Sequence, residues 1–244
     1  MTVTNSNSGT RIDEIADGIF RISTPVPPED FPSGFTYNQF LIRDEAPLLF
    51  HTGAPRLFSV VSEAVAHVLP VDRLRYISFS HYESDECGAL NDFLKVAPEA
   101  VPLCGRIAAM TSIGEMALRP PRVLEDGEGL DLGVHRVRWI DTPHLPHAWE
   151  CGQLFEETTG TLFCGDLFTQ FGADVPPLVE TDIFAAAEAA RHQVDYMART
   201  LDGPDLLEKL AVLQPRVMAC MHGSAWKGAG ADLLRRLADE LRPS

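Results

Sequence analysis

The 244-residue chain has few cations, no C-x-x-C pair, no G-x-G-x-x-G after a strand, and no apolar run approaching a membrane span. A helix crosses the hydrocarbon core only with about 20 consecutive apolar residues, so no membrane partner is expected. Lys and Arg number 20 against 35 Asp and Glu, a net charge of -15. Such a chain repels nucleic acid and anionic lipid, both of which are bound through clustered cations. Cys87, Cys104, Cys151, Cys164 and Cys220 are odd in number and scattered, which argues against a disulfide framework or a thiolate zinc site and for reduced thiols in a cytosol. The missing glycine fingerprint argues against an internal dinucleotide site. The start, Met1 to Thr10, is polar, without a basic segment followed by an apolar one. It reads as a loose tail on a cytoplasmic protein, with residues 11–244 forming one domain.

Hydrophobic residues make up 45% of the chain, enough for a substantial core. The order of elements follows from periodicity. Arg11 to Ser23 alternates as two strands around the Asp17-Gly18 turn, and Phe35 to Ile42 with Pro47 to His51 reads as a hairpin pair. Pro55 to Leu69 carries Leu57, Val60, Val61, Val65 and Val68 near helical spacing. Strands are expected at Leu74–Phe79, Val101–Leu103, Arg122–Leu124, Leu130–Leu132, Val137–Asp141, Gln153–Glu157, Thr161–Cys164 and Val217–Met221. Helices are expected from Arg106 to Met116, Ile183 to Thr200, Pro204 to Leu213 and Gly230 to Leu241.

The chemistry-bearing residues fall where these strands end. Ser78 to Gly88 reads S-F-S-H-Y-E-S-D-E-C-G, so His81, Glu83 and Asp85 alternate and Glu86 follows at once. His144 and His147 lie in D-T-P-H-L-P-H-A-W-E-C-G, Asp166 closes L-F-C-G-D, and His222 lies in C-M-H-G-S. Open α/β folds place their sites at strand carboxyl ends. Each residue alone has an ordinary reading as a surface His, a turn carboxylate or an acid at a helix N-terminus. Three imidazoles and several carboxylates at successive strand ends are together the donor set of a two-metal site.

These motifs, in this order, resemble those of the metallo-β-lactamase superfamily over about residues 12–224. The usual hydrolase version of the first motif is H-x-H-x-D-H. Here Glu83 and Glu86 stand at the second and last His positions. The H-x-E-x-D form is similar to the iron-containing branch, the flavodiiron proteins and the stand-alone oxygen-binding diiron proteins. The resemblance implies an α/β (α+β) fold, a four-layer αββα sandwich of two mixed sheets with outer helices. It also implies that His81, Glu83 and His147 hold one metal, Asp85 and His222 the other, and that Asp166 bridges them. Carboxylate in place of imidazole hardens the site and suits two iron ions, with manganese or zinc as alternatives. Glu86 either replaces the missing His as a ligand or turns away to cap the next helix. His144 is expected beside the site, orienting a ligand through a hydrogen bond.

What the resemblance implies for function is binding or reduction of dioxygen or nitric oxide, as a sensor, a carrier or an oxidoreductase. With no flavin expected in this chain, electrons come from a separate flavoprotein or other donor. The alternative is a dinuclear hydrolase of an ester, thioester, lactone or phosphodiester. Tyr82, Trp149, Phe168, Phe171 and Trp226 are candidates for a pocket wall as well as for core. Cys87 and Cys164 adjoin ligand positions, though buried structural thiols are the commoner case. Residues 171–182, with Pro176-Pro177, read as a lid or as a homodimer contact.

Overall fold

Alternation along the strands decides how the layers stack. Successive side chains of a strand point to opposite faces of its sheet, and in β5 (Leu48–Phe50) and the last three residues of β4 (Phe35–Ile42) both faces are apolar and buried. The computed structural model describes residues 2–242. In it Leu41 and Leu49 join one buried cluster, and Phe40, Ile42, Leu48 and Phe50 join another. Sheets buried on both faces must be covered on both. The result is three apolar interfaces between four layers: helix on sheet, sheet on sheet, sheet on helix.

The first sheet is laid down in chain order: β1 (Thr2–Asn5), β2 (Thr10–Ala16), β3 (Ile19–Val26), β4, β5, β6 (Tyr76–Ser78), β7 (Val101–Gly105) and β8 (Arg122–Leu124). Pairing is antiparallel to β5 and parallel from β5 to β8. The second sheet runs β13 (Leu178–Val179), β15 (Ala225–Lys227), β14 (Val217–Ala219), β12 (Thr161–Phe163), β11 (Gly152–Glu156), β10 (Arg136–Asp141), β9 (Gly129–Asp131). Here β12 lies parallel to β14, and β13 to β15. Both sheets are therefore mixed. Phe163 bridges the layers, with ring centroids 5.5 Å from Phe40 and 5.3 Å from Phe50.

Helices α1 (Phe58–Ala66) and α3 (Leu90–Val96) cover the first sheet with Val61, Val65, Leu90, Phe93 and Leu94. On the far side α6 (Phe184–Val194), α7 (Gly203–Ala211) and α8 (Gly230–Leu241) contribute Ala187, Leu207, Leu210, Leu233, Leu234 and Leu237.

Three expectations are corrected. Residues 2–5 are not a loose tail: β1 pairs with β2, Thr2 opposite Ile12 and Val3 opposite Arg11. An unpaired sheet edge offers free N–H and C=O groups, and the β-branched Thr-Val-Thr run takes them. Residue 1 and residues 243 and 244 lie outside the described residues. The helix expected to reach Thr200 stops at Val194, because Asp195 turns left-handed at φ 45°, a conformation Asp tolerates better than most residues. The 106–116 helix is divided into α4 (Arg106–Ala108), a π turn (Ala109–Ile113) and α5 (Gly114–Met116). Among the described residues no helix is long and apolar enough to cross a membrane.

Candidate metal centre

Four strand ends converge at one rim of the sandwich. The chain leaves β6 at Ser78 and delivers His81, then enters α2 (Ser84–Cys87), whose first turn carries Asp85 and Glu86. After β12, Gly165 at φ 51° turns the chain so that Asp166 faces inward. A Cβ at Gly165 would stand 2.8 Å from Ser80 Oγ, so this approach requires glycine. After β14 comes His222, and after β10 the loop that holds His147.

The donor atoms lie close together. His147 Nε2 is 2.9 Å from His81 Nε2, 3.0 Å from Glu83 Oε1 and 3.4 Å from Asp166 Oδ2. His81 Nε2 is 3.7 Å from Glu83 Oε1 and 3.5 Å from Asp166 Oδ2. On the other side of Asp166, Oδ1 stands 3.1 Å from His222 Nε2, which is 3.6 Å from Asp85 Oδ2. The two oxygens of one carboxylate thus face two donor clusters, the geometry a bridging ligand has. His81, His147 and Asp166 form one set able to hold a metal ion, with donor atoms within 4.8 Å of one another. Asp85, Glu86 and His222 form another, and His81, Glu83 and Glu86 a third that overlaps both.

Hydrogen bonds decide which imidazole nitrogen is free. His147 Nδ1 donates to Tyr196 O at 3.1 Å, and His222 Nδ1 to Thr36 O at 2.7 Å. His81 Nδ1 meets Ser80 Oγ at 3.0 Å, and that hydroxyl meets His51 Nε2 at 3.1 Å. The Ser80 backbone N–H also points at His51 Nε2, at 3.4 Å, so that nitrogen accepts. Burial and then His81 pull His51 down to about 3, which keeps it neutral. Ser80 therefore donates to His51 and accepts from His81 Nδ1–H. In all three ligand-type histidines Nδ1 carries a proton bonded away from the centre and Nε2 faces it, so each ring can offer its Nε2 lone pair to a metal.

Protons on Nε2 can also satisfy these contacts, and the titration behaviour reflects the carboxylates around them. Burial opposes charging His147 and His222, yet Glu83 and Asp166 beside them raise both. Bonds from His147 and His81 hold Glu83 well below the usual carboxylate range. Burial pushes Asp166 up, but His222, His81 and His147 outweigh it and hold that group at about 2. Glu86 is the exception, raised by burial and then by Asp166 and Asp85. Both its oxygens, like Asp166 Oδ1, are buried without a hydrogen-bond partner. Buried polar atoms are nearly always paired, so the donor set fits a dinuclear cation site.

The first sheet clamps the His222 loop in the second. Arg21, fully buried, donates to Gly223 O at 2.7 Å, as does Asn38 Nδ2 at 2.9 Å, and Gly223 N donates to Thr36 Oγ1 at 2.8 Å. A cavity of about 630 Å³ opens onto the donors, walled by Phe31, Phe35, Phe171, Tyr37 and Tyr196, with Arg56 at its edge. Phe35 stacks on the His222 ring at 4.0 Å.

The structure brings together His81, Glu83, Asp85, Glu86, His147, Asp166 and His222. It does not bring His144: that residue is exposed and lines a separate shallow cleft with Arg199 and Leu201. The left-handed turn at His144, φ 63°, carries it outward while His147 turns inward. Of the pocket candidates only Phe171 lines the cavity. Tyr82 and Trp149 are exposed, and Phe168 and Trp226 are core. Phe171 packs against Phe31 at 5.3 Å, and Leu178–Val179 adds an edge strand, so the 171–182 segment forms part of the cavity wall. All five cysteines are buried and free, and burial raises Cys87 to about 12. Sequence reasoning missed His51, Ser80 and Tyr196. For His51 a signal existed, since H-T-G follows the apolar run ending at Phe50.

The family model described as ODP family beta lactamase matches residues 35–223. The putative diflavin flavoprotein A 1 of Nostoc sp. (strain PCC 7120 / SAG 25.82 / UTEX 2576) is 29% identical over 185 residues, 75% of this chain and 31% of that protein. The anaerobic nitric oxide reductase flavorubredoxin of Salmonella arizonae is 25% identical over 203 residues, 80% of this chain and 42% of that one. The chain therefore spans less than half the length of either relative. Among solved structures, rubredoxin oxygen:oxidoreductase from Desulfovibrio gigas superposes with a TM-score of 0.79 at 21% identity, covering 96% of this chain and 63% of the other. That likeness is one of fold.

Proposed function

The chain belongs to the ODP family of beta-lactamase proteins, and from that premise we propose that it is a non-haem diiron protein that binds or reduces a small diatomic molecule, dioxygen or nitric oxide. His81, Glu83 and His147 would hold one iron and Asp85 and His222 the other, with Asp166 between the two sets. The observation that carries this reading is the 2.9 Å approach of His81 Nε2 to His147 Nε2, two ring nitrogens that can both act as lone-pair donors only around a cation. Mixed imidazole and carboxylate donors favour iron or manganese over zinc. One relative is named as a nitric oxide reductase and one structural neighbour as an oxygen oxidoreductase, which supports a diatomic ligand.

When bound, two iron ions would supply the redox chemistry, and repeated turnover would draw electrons from a separate flavoprotein or other donor. The side chains do the rest. His81, Asp166 and His222 are buried behind the aromatic wall of Phe31, Phe35 and Phe171, so charges there interact more strongly than in water. Tyr196 positions two of these residues at once, since its carbonyl accepts a hydrogen bond from His147 Nδ1–H and its hydroxyl donates to the Asp166 backbone O at 3.0 Å.

A second reading, a dinuclear hydrolase of an ester, thioester, lactone or phosphodiester, draws on cavity size. About 630 Å³ is ample for an organic substrate. One experiment separates the two. The iron-loaded protein is reduced under anaerobic conditions and then mixed with buffer carrying dioxygen or nitric oxide while its absorption is recorded, and chromogenic esters and lactones are assayed with manganese or zinc added. A new absorption band with either gas and no hydrolysis is the expected result. Hydrolysis without any spectral response overturns it.

A further inference from the structure

We infer that Glu86 is itself a metal ligand, which makes the two positions chemically unequal: the second is a three-carboxylate, one-imidazole site for a hard divalent cation such as Mn²⁺ or Fe²⁺. The inference rests on the dinuclear reading above. Its basis is the placement of one side chain. Glu86 is 0% exposed and neither carboxylate oxygen has a hydrogen-bond partner. A carboxylate so placed is costly unless a proton or a cation compensates it. Capping does not account for it, because the residue that caps α3 is Ala89 and no side chain bonds there.

The backbone fixes where that carboxylate points. Glu86 O accepts from Thr52 N–H at 2.7 Å, and Cys87 N–H donates to Glu83 O at 3.0 Å. This locks α2 against the loop after β5 and aims Glu86 inward. Its side chain lies within donor range of Asp85 and His222, and Oε2 is 3.9 Å from His81 Nε2 on the seam between the clusters.

Donor count and charge both close with Glu86 included. The first position has His81, His147, Glu83 and Asp166 Oδ2. The second has His222, Asp85, Glu86 and Asp166 Oδ1, where it would otherwise have three ligands. Four carboxylates also balance the charge of two divalent ions. Oxygen-rich sites favour Mn²⁺ and Fe²⁺ over Zn²⁺ relative to sites with more imidazole. The first position, with two imidazoles, therefore discriminates less against Zn²⁺.

The test uses the metal-free full chain titrated with Mn²⁺ alone, then with Zn²⁺ alone, by calorimetry, with electron paramagnetic resonance of the Mn²⁺ samples. The wild type is expected to take two equivalents of Mn²⁺ and show a spin-coupled pair. Glu86→Gln keeps the shape but loses the charge. It is expected to weaken the second equivalent by about tenfold or more and to give the spectrum of an isolated ion. Glu86→His is expected to retain two equivalents while shifting the second toward Zn²⁺. Two equivalents bound by Glu86→Gln with wild-type affinity and a coupled spectrum overturn the inference and leave the dinuclear reading intact. A wild type that never takes a second equivalent overturns both. Should Glu86→Gln not fold, an unchanged Mn²⁺-to-Zn²⁺ preference in Glu86→His overturns the inference instead.

Discussion

Replacing Ser80 with Ala removes one buried oxygen that two histidines share. In the wild type His81 Nδ1 and His51 Nε2 meet that hydroxyl at 3.0 and 3.1 Å, and all three residues are buried. A buried polar group stripped of its partner costs about 1–3 kcal/mol, so the metal-free variant should unfold in urea with roughly that much less stability. The larger consequence is for the metal. His81 Nδ1–H then has no acceptor, and the ring is free to rotate away from the line to His147 Nε2. Loss of the hydrogen bond behind a metal-binding imidazole typically costs about 10–100-fold in affinity, or about 1.4–2.8 kcal/mol at 1.4 kcal/mol per decade. Competition between the protein and a chromophoric chelator for Mn²⁺ reads that change directly. Wild-type metal affinity in a Ser80→Ala protein of lowered stability would refute the hydroxyl's role in aiming His81, leaving it a structural hydrogen bond only.

Asp166→Asn should lose metal from both positions while the metal-free protein stays folded, since both Asp166 oxygens face donors and none bonds the backbone; elemental analysis after dialysis checks this. His144→Ala should leave metal affinity unchanged in the same assay, because that side chain is exposed and outside the centre. Phe163→Ala, which empties the space between Phe40 and Phe50, should cost about 3–5 kcal/mol in urea unfolding. The metal-free protein should show a bell-shaped dependence of melting temperature on pH. Glu83 and Asp166 are depressed, so their contribution is present above the ordinary carboxylate value and is lost as pH falls toward the folded value, about 2 for Asp166. His147 and His222 are raised, so theirs is complete below the ordinary 6.5 and is lost as pH climbs through their raised values. Saturating Mn²⁺ should remove the alkaline loss, because the cation takes over from the protons.

The layered fold and most of the donor set were legible in the order of residues, because both depend on local pattern. Alternation in F-T-Y-N-Q-F-L-I sets which faces of β4 are buried, and a polar residue placed just past an apolar strand must emerge at the strand's end. Hence His81, Asp166 and His222 could be named from their positions. Their partners could not. Ser80 touches His51 from the end of another strand, Tyr196 reaches Asp166 from beyond a helix that periodicity alone would have continued, and the Thr36 carbonyl accepts a hydrogen bond from a histidine in the opposite sheet. His144 and His147 were three residues apart in a proline-rich loop, and only the backbone turns of that loop sent one outward and the other in. Local preference is written along the chain within a few residues, whereas the direction of a side chain and the owner of its proton depend on groups brought close only when the two sheets pack.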